Sequence, residues 1–157
     1  VVLVLAIAGL IFLMVFIALP ALQRSQRDAQ RKQDVSRLLD AVQRYKSNNR
    51  GQLPSVLQTD AWVMLTNSSS DRFIKTYLAV DGPFRNPQGW DWFVHGAMYN
   101  TPGSELPRPS TLLYQLRDFY SAVGMKCDGS GLVAAQGPGH VAVRIYLENG
   151  GTYCESI

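Results

Sequence analysis

The first 22 positions, VVLVLAIAGLIFLMVFIALPAL, carry no charged side chain, and their apolar residues fall on every side of a helical wheel instead of on one stripe. A helix that is greasy all round is buried all round, either in lipid or among copies of itself. At about 1.5 Å per residue the run is about 33 Å long, enough to cross the hydrocarbon core of a bilayer. The pattern then changes without a break in helical character. QRSQRDAQRKQDVSRLLDAVQRYKSNN contains neither Gly nor Pro and places Val35, Leu38, Leu39, Val42 and Tyr45 at i, i+3, i+4, i+7 and i+10, one amphipathic stripe for packing on a domain. Gly51 and Pro54 follow in the order that ends a helix. These patterns predict one spine helix in two parts, residues 1–22 apolar throughout and residues 23–53 amphipathic, followed by a single globular head over 54–157.

Within the head, HVAVRIYL alternates Val141, Val143, Ile145 and Leu147 with Ala142, Arg144 and Tyr146, and ENGG then leads into TYCESI. This is the strongest hairpin signal in the chain. A loop and then a strand near Trp90 to Val94 are expected from DGPFRNPQGWDWFVH, and a further strand from TLLYQL. TDAWVMLTN and SSSDRFIKTYLAV read as two short helices capped by Asp60 and Ser70, the second with Phe73, Tyr77 and Leu78 on one face. The Pro-containing TPGSELPRPS and the Gly-rich DGSGLVAAQGPGH read as loops. The resulting fold class is α+β: a long N-terminal helical spine packed on a small antiparallel β-sheet, with short extra helices and long loops.

Two residues qualify the first 22. Gly9 weakens a helix and Pro20 deletes one backbone hydrogen bond. Lipid offers no replacement partner, whereas protein neighbours do. A cleaved secretory signal fits poorly, because its apolar region is shorter, roughly 7 to 15 residues, and is absent from a mature chain. The absence of an initiator Met leads us to expect that residues once preceded Val1.

Charge sharpens this division. Residues 24–50 hold eight Lys/Arg against Asp28, Asp34 and Asp40, while residues from Gly51 onward hold seven basic and nine acidic side chains. A basic rod joined to a slightly acidic head is a weak signal for nucleic acid. The three- and four-residue spacing of the rod's charges is also what a solvated helix face or a packed shaft requires. The positive-inside rule would hold the Arg-rich flank of a simple anchor in the cytoplasm. The two cysteines, Cys127 and Cys154, point the other way, since an even count behind an export-like segment favours one disulfide outside the cytoplasm over two reduced thiols.

The inventory for catalysis is thin, and no enzyme activity, cofactor or metal is expected. His95 and His140 are the only imidazoles, and with the cysteines they show no C-x-x-C or H-x₃₋₅-H spacing for zinc. GSG at 129–131 and GPG at 137–139 lack the rest of a phosphate-loop motif and read as turns. Trp62, Trp90 and Trp92 are expected chiefly as core residues, with an exposed surface for sugar or host contact as the alternative. Asn67-Ser68-Ser69 matches a glycosylation sequon, a pattern common by chance.

The charge-free run with its Gly and Pro, the pattern Arg27, Asp28, Arg31, Lys32 and Asp34 within QRDAQRKQDV, and the ending NNRGQLP resemble the type IV pilins, especially those of ultrasmall epibiotic bacteria. The terminal GHVAVRIYLENGGTYCESI is similar as well. The resemblance implies a homo-oligomeric helical filament whose core would contain Val1, Leu3, Leu5, Leu10, Leu13 and Phe16. It implies a helix-melting segment bounded by Gly9 and Pro20, which in many pilins loses helical hydrogen bonding on assembly. Implied partners are a prepilin peptidase, an inner-membrane assembly machinery, the membrane before assembly, and a surface or host cell; DNA is a weaker one. In that family the leader is cut before a Phe-Thr-x-x-Glu start whose Glu registers subunits. None of those five positions is present, so Val1 would directly follow that Glu. Alternatives from the same sequence are a minor pilin, a type II secretion pseudopilin, and a single-span, membrane-anchored adhesin or binding module.

Overall fold

The computed structural model describes residues 1–96, 101–106, 116–137 and 139–157. One helix, α1 (Val2–Asn48), runs without interruption through Gly9 and Pro20. It ends where the chain enters positive φ at Arg50 (54°) and Gly51 (79°), and the Gly51 N–H closes back on the Lys46 carbonyl at 2.8 Å. A 3₁₀ turn (Ser55–Leu57) and strand β1 (Trp62–Leu65) follow, then a short π-helical turn (Ile74–Leu78). Strands β2 (Trp92–His95), β3 (Asp118–Val123), β4 (Met125–Asp128), β5 (Gly131–Ala134), β6 (Val141–Tyr146) and β7 (Thr152–Ser156) complete the chain.

The main sheet has the order β1-β2-β3-β6-β7, and β4 and β5 form a separate two-stranded hairpin. All pairings are antiparallel except β2 with β3, where Val94 lies beside Phe119 and His95 beside Tyr120. The expected small antiparallel sheet therefore contains one parallel pair. A parallel pair cannot be joined by a tight turn, so the chain between β2 and β3 makes a long return, part of which packs on the outer side of the sheet.

The inner face of the sheet packs on the second half of α1. Val35, Leu38, Leu39 and Val42 are fully buried, with Tyr45 at the margin, against Trp92, Val94, Phe119, Val141, Val143 and Ile145. Phe73, Tyr77 and Leu78 close one flank, Tyr45 meeting Phe73 and Tyr77 edge-on at 5.7 and 5.3 Å. β2 is pressed close to the segment behind it: a Cβ at Gly96 would stand 2.5 Å from the Thr59 carbonyl oxygen.

Several sequence expectations change. TDAWVMLTN forms β1, not a helix, and Asp60 caps nothing, because WVML finds its hydrogen bonds across the sheet, Trp62 opposite His95 and Leu65 opposite Trp92. The next helical turn is capped by Asp71 and not by Ser70; its Oδ1 accepts the N–H groups of Phe73 (2.8 Å) and Ile74 (3.3 Å). DGSGLVAAQGPGH is not merely a loop, since GLVA is β5 and DGSG is its turn. The strand expected at TLLYQL lies largely outside the described residues, and DFYSAV, which carries no strand signal in the reading above, is β3.

The face of β6 opposite the core is also covered. Ala142 is buried with Leu132 beneath the β4–β5 hairpin, and the buried Arg144 donates to the Ser104 carbonyl at 2.6 Å. Cys127 on β4 is bonded to Cys154 on β7 with a Cα–Cα distance of 5.8 Å, which fastens the outer hairpin to the edge of the main sheet. Replacing Cys127 by Ser is expected to lower stability by roughly 2–5 kcal/mol through loss of this cross-link. Thermal unfolding of the full chain in detergent, with and without reductant, measures it; an unchanged midpoint in both comparisons would contradict the role given to the bridge.

Candidate assembly surface and its junction with the head

Residues 1–22 of the chain are exposed, Ala8 alone being half-buried. Leu3, Leu5, Leu10 and Leu13 are 72, 66, 61 and 62% exposed, and Phe16 is 76% exposed. This helix has a mean hydropathy of 3.2 over its most apolar window, none of which is buried, and it is long and apolar enough to span a membrane. Gly9 and Pro20 lie within regular helix in this monomer. Soluble monomers rarely expose a continuous apolar surface of this size, so it marks an association or membrane surface.

Between this segment and the hydrophobic core lies a cluster of charge. Glu148, in the turn between β6 and β7, accepts from Arg27 Nε at 2.9 Å and Nη2 at 2.7 Å, and from Arg31 Nη2 at 2.6 Å. The Arg31 side chain is completely buried and also donates to Asp28 Oδ1 at 3.0 Å. Asp28 in turn accepts the backbone N–H groups of Glu148 at 2.7 Å and Asn149 at 3.0 Å. Helix and turn are thus joined by reciprocal, charge-assisted hydrogen bonds. Hydrogen bonding from Arg27, followed by Arg31, holds the Glu148 carboxyl at about 2, well below the usual carboxylate range.

One turn further on, Asp34 accepts the indole N–H of the buried Trp92 at 3.0 Å. Burial raises its carboxyl to about 6, against the opposing effects of the Trp92 hydrogen bond and of Arg37 and Arg31. The three- and four-residue spacing of these charges predicts a solvated face or a packed shaft. In the monomer Asp28 and Arg31 are internal, and the available clue was position: they occupy i−7 and i−4 from Val35, the backward continuation of the same stripe. Nothing local could reveal Glu148, more than a hundred residues away.

The remaining candidates separate. Trp92 is a core residue, but Trp62 and Trp90 are 59 and 41% exposed. His95 is buried, its ring 3.7 Å from that of Trp62 and 4.9 Å from that of Tyr120. Its Nε2 lies 3.7 Å from Asp118 Oδ1, and neither carboxylate oxygen of the buried Asp118 accepts a hydrogen bond. His140 instead sits with Nδ1 3.2 Å from the Ile157 carbonyl. Among the described residues no group of three His, Cys, Asp or Glu side chains is placed to hold a metal ion.

Comparison of the chain with protein-family models, with curated proteins and with solved structures finds no match. The architecture itself, a long apolar N-terminal helix on a mostly antiparallel sheet, is consistent with a pilin-like fold and with membrane anchoring.

Two predictions concern the buried polar side chains. Because the folded-state value of Asp34 is raised from 3.8 to about 6, the folded state binds the extra proton and stability falls as pH rises through that window. Glu148, lowered from 4.5 to about 2, acts oppositely, and its contribution is lost as pH falls below 4.5. Asp34→Asn, which keeps an acceptor for Trp92, should therefore remove a decline on the order of 2 kcal/mol between pH 4 and 6 while leaving the acid limb intact. Denaturant midpoints at pH 3, 4.5 and 7 test this, and parallel curves for the two proteins would refute it. Replacing His95 alone by Phe puts an apolar ring beside the buried Asp118 carboxyl and should cost roughly 1–3 kcal/mol, whereas His95→Phe with Asp118→Leu should recover most of it. A double variant as unstable as the single one would show that the two side chains are not coupled.

Proposed function

We propose that this chain is the structural subunit of a type IV pilus-like filament, polymerising through residues 1–22 for surface attachment and twitching motility. The observation that supports this most strongly is the form of α1: an uncharged, exposed segment through residue 22, continued without a break into a second half clamped to the head. Burying each large aliphatic side chain is worth about 1.5–3 kcal/mol, so this segment gains tens of kcal/mol on leaving water. Lipid and a bundle of identical helices are both apolar enough to supply it. Assembly is therefore a transfer between two apolar surroundings, in which burial is nearly conserved and no covalent bond changes.

In that filament Val1, Leu3, Leu5, Leu10, Leu13 and Phe16 pack against neighbouring copies, and the heads face outward. Before assembly the same residues span the inner membrane, where a prepilin peptidase and the assembly machinery act on the subunit. Gly9 has low helix propensity and Pro20 lacks one backbone donor, so any unwinding on packing would start at these two positions. The competing reading, a single-span envelope protein whose head is a binding module, draws on the exposed Trp62 and Trp90.

Replacing Leu5 or Leu13 by Arg separates these readings. Each variant is expected to accumulate in the membrane with a folded head and to yield no filaments, judged by electron microscopy of sheared material labelled with antibody to residues 25–157. Normal labelled filaments from either variant would exclude helix packing as the basis of assembly. Unlabelled filaments from the unaltered chain, with label confined to the membrane, would favour the anchored module.

A further inference from the structure

Outside residues 1–22, the large apolar side chains left exposed among the described residues are Trp62, Met64, Val80 and Trp90. All but Val80 border the outer side of the β1–β2 edge. Met64, Trp90 and Phe93 wall a cleft of about 270 Å³ there, and Arg85, Asp91 and Arg117 supply its polar groups. The Arg117 guanidinium stands 4.7 Å from the Phe93 ring centroid and 5.8 Å from that of Trp90, held in place by two aromatic faces. Arg85 brings a second guanidinium to the mouth, 61% exposed and 3.8 Å from Asp91.

The loop that presents Trp90 is fixed before any ligand arrives. Asn86 is buried, and its Oδ1 accepts the N–H groups of Gln88 at 3.1 Å and Trp90 at 2.9 Å. The Asn86 N–H donates to the Trp90 carbonyl at 2.9 Å, and Gly89, at φ 83°, donates to the Asn86 carbonyl at 2.8 Å. A large, flat aromatic held this way loses little conformational freedom on binding.

From this arrangement we infer that the cleft binds an acidic pyranoside, a six-membered sugar ring carrying a carboxylate. The C–H face of such a ring stacks on an indole, and its carboxylate matches the planar donor fork of a guanidinium. Asp91 adds an acceptor for a hydroxyl. The volume lies just under the range of roughly 300–1,000 Å³ typical of pockets for drug-sized ligands, which fits one sugar unit. A single nucleic-acid strand also stacks on aromatics, but it requires a basic groove along its backbone. From Gly51 onward acidic side chains outnumber basic ones, nine to seven, so the head favours one carboxylate over a run of phosphates. The inference is independent of filament assembly, since the cleft belongs to the head alone.

Its test uses the full chain in detergent micelles, titrated at fixed ionic strength with polygalacturonate, with hyaluronan, with neutral dextran and with oligo-dT, and followed by calorimetry. At least one of the two acidic polysaccharides is expected to bind at least tenfold more tightly than dextran and oligo-dT. Trp90→Ala and Arg85→Gln, both at exposed positions, should each weaken that binding tenfold or more, while Val80→Ala on another surface should leave it unchanged. Absence of binding to both acidic polysaccharides would overturn the inference, as would binding indifferent to Trp90→Ala. Preference for oligo-dT would replace it with a nucleic-acid surface.

Discussion

The direction in which the apolar half of α1 leaves the head depends on the grip of Arg27 and Arg31 on Glu148. Among the described residues the hydrophobic core shared by helix and sheet begins at Val35, so the turns before it are directed by other contacts. Asp28 and Arg31 extend the attachment toward the N-terminus by seven residues, about 10 Å of helix. They do so with directional bonds in place of greasy contact. A buried ion pair contributes little net stability, because desolvation offsets most of its attraction, but breaking one is costly and its geometry is demanding. Such a device suits a junction whose angle matters. Asp28 receiving two backbone N–H groups from the β6–β7 turn makes the turn itself part of the clamp, so ENGG serves both as hairpin connection and as helix socket.

A second consequence follows from the parallel pairing of β2 with β3. The return between them brings Ser104 and Leu106 over the outer face, where Arg144 and Tyr146 donate to their carbonyls at 2.6 and 3.1 Å. The β4–β5 hairpin covers the rest of that side around Ala142, and the Cys127–Cys154 bond holds it there. The sheet therefore has a layer on each face: the spine within, irregular chain and a small hairpin without. Where this outer layer stops, at the β1 edge, Trp62, Met64 and Trp90 stay exposed.

The spine and the terminal hairpin were legible because each signal is long and local. Twenty-two uncharged residues, a stripe of five apolar positions and an alternating strand followed by ENGG admit few other readings. β1 was not legible: WVML is too short to show a period, and the same composition suits a helical turn until β2 is available as partner. β3 was hidden because both its faces are buried, so Asp118 on the outer face and Ser121, beside Val143 on the inner face, interrupt the apolar pattern. Glycines in DGSG marked a turn correctly but concealed the strands on either side. The clamp was half legible, since its helical members continue the core stripe, whereas Glu148 reaches them only through tertiary structure. Trp90 could not be told from Trp92 by sequence, two residues apart in one aromatic run; what separates them is that β2 begins at Trp92 and leaves Trp90 in the preceding turn.

These features also separate the energetics of the two halves of α1. The core starts at Val35, the clamp at Arg27 and the charge-free run ends at Leu22, so residues 23–26 are the only solvated step between a membrane-compatible segment and a folded head. A change in the surroundings of residues 1–22, from lipid to neighbouring helices in the proposed filament, alters none of the contacts that stabilise the sheet. Because residues 1–22 contribute nothing to the core of the head, the head can be folded and closed by its disulfide whatever surrounds the apolar segment. Any unwinding near Gly9 or Pro20 would likewise stop short of Arg27, because there the helix is held by side chains as well as by its own backbone bonds. The clamp thus marks the boundary between the part of the helix that would be free to adapt in the proposed assembly and the part fixed to the head.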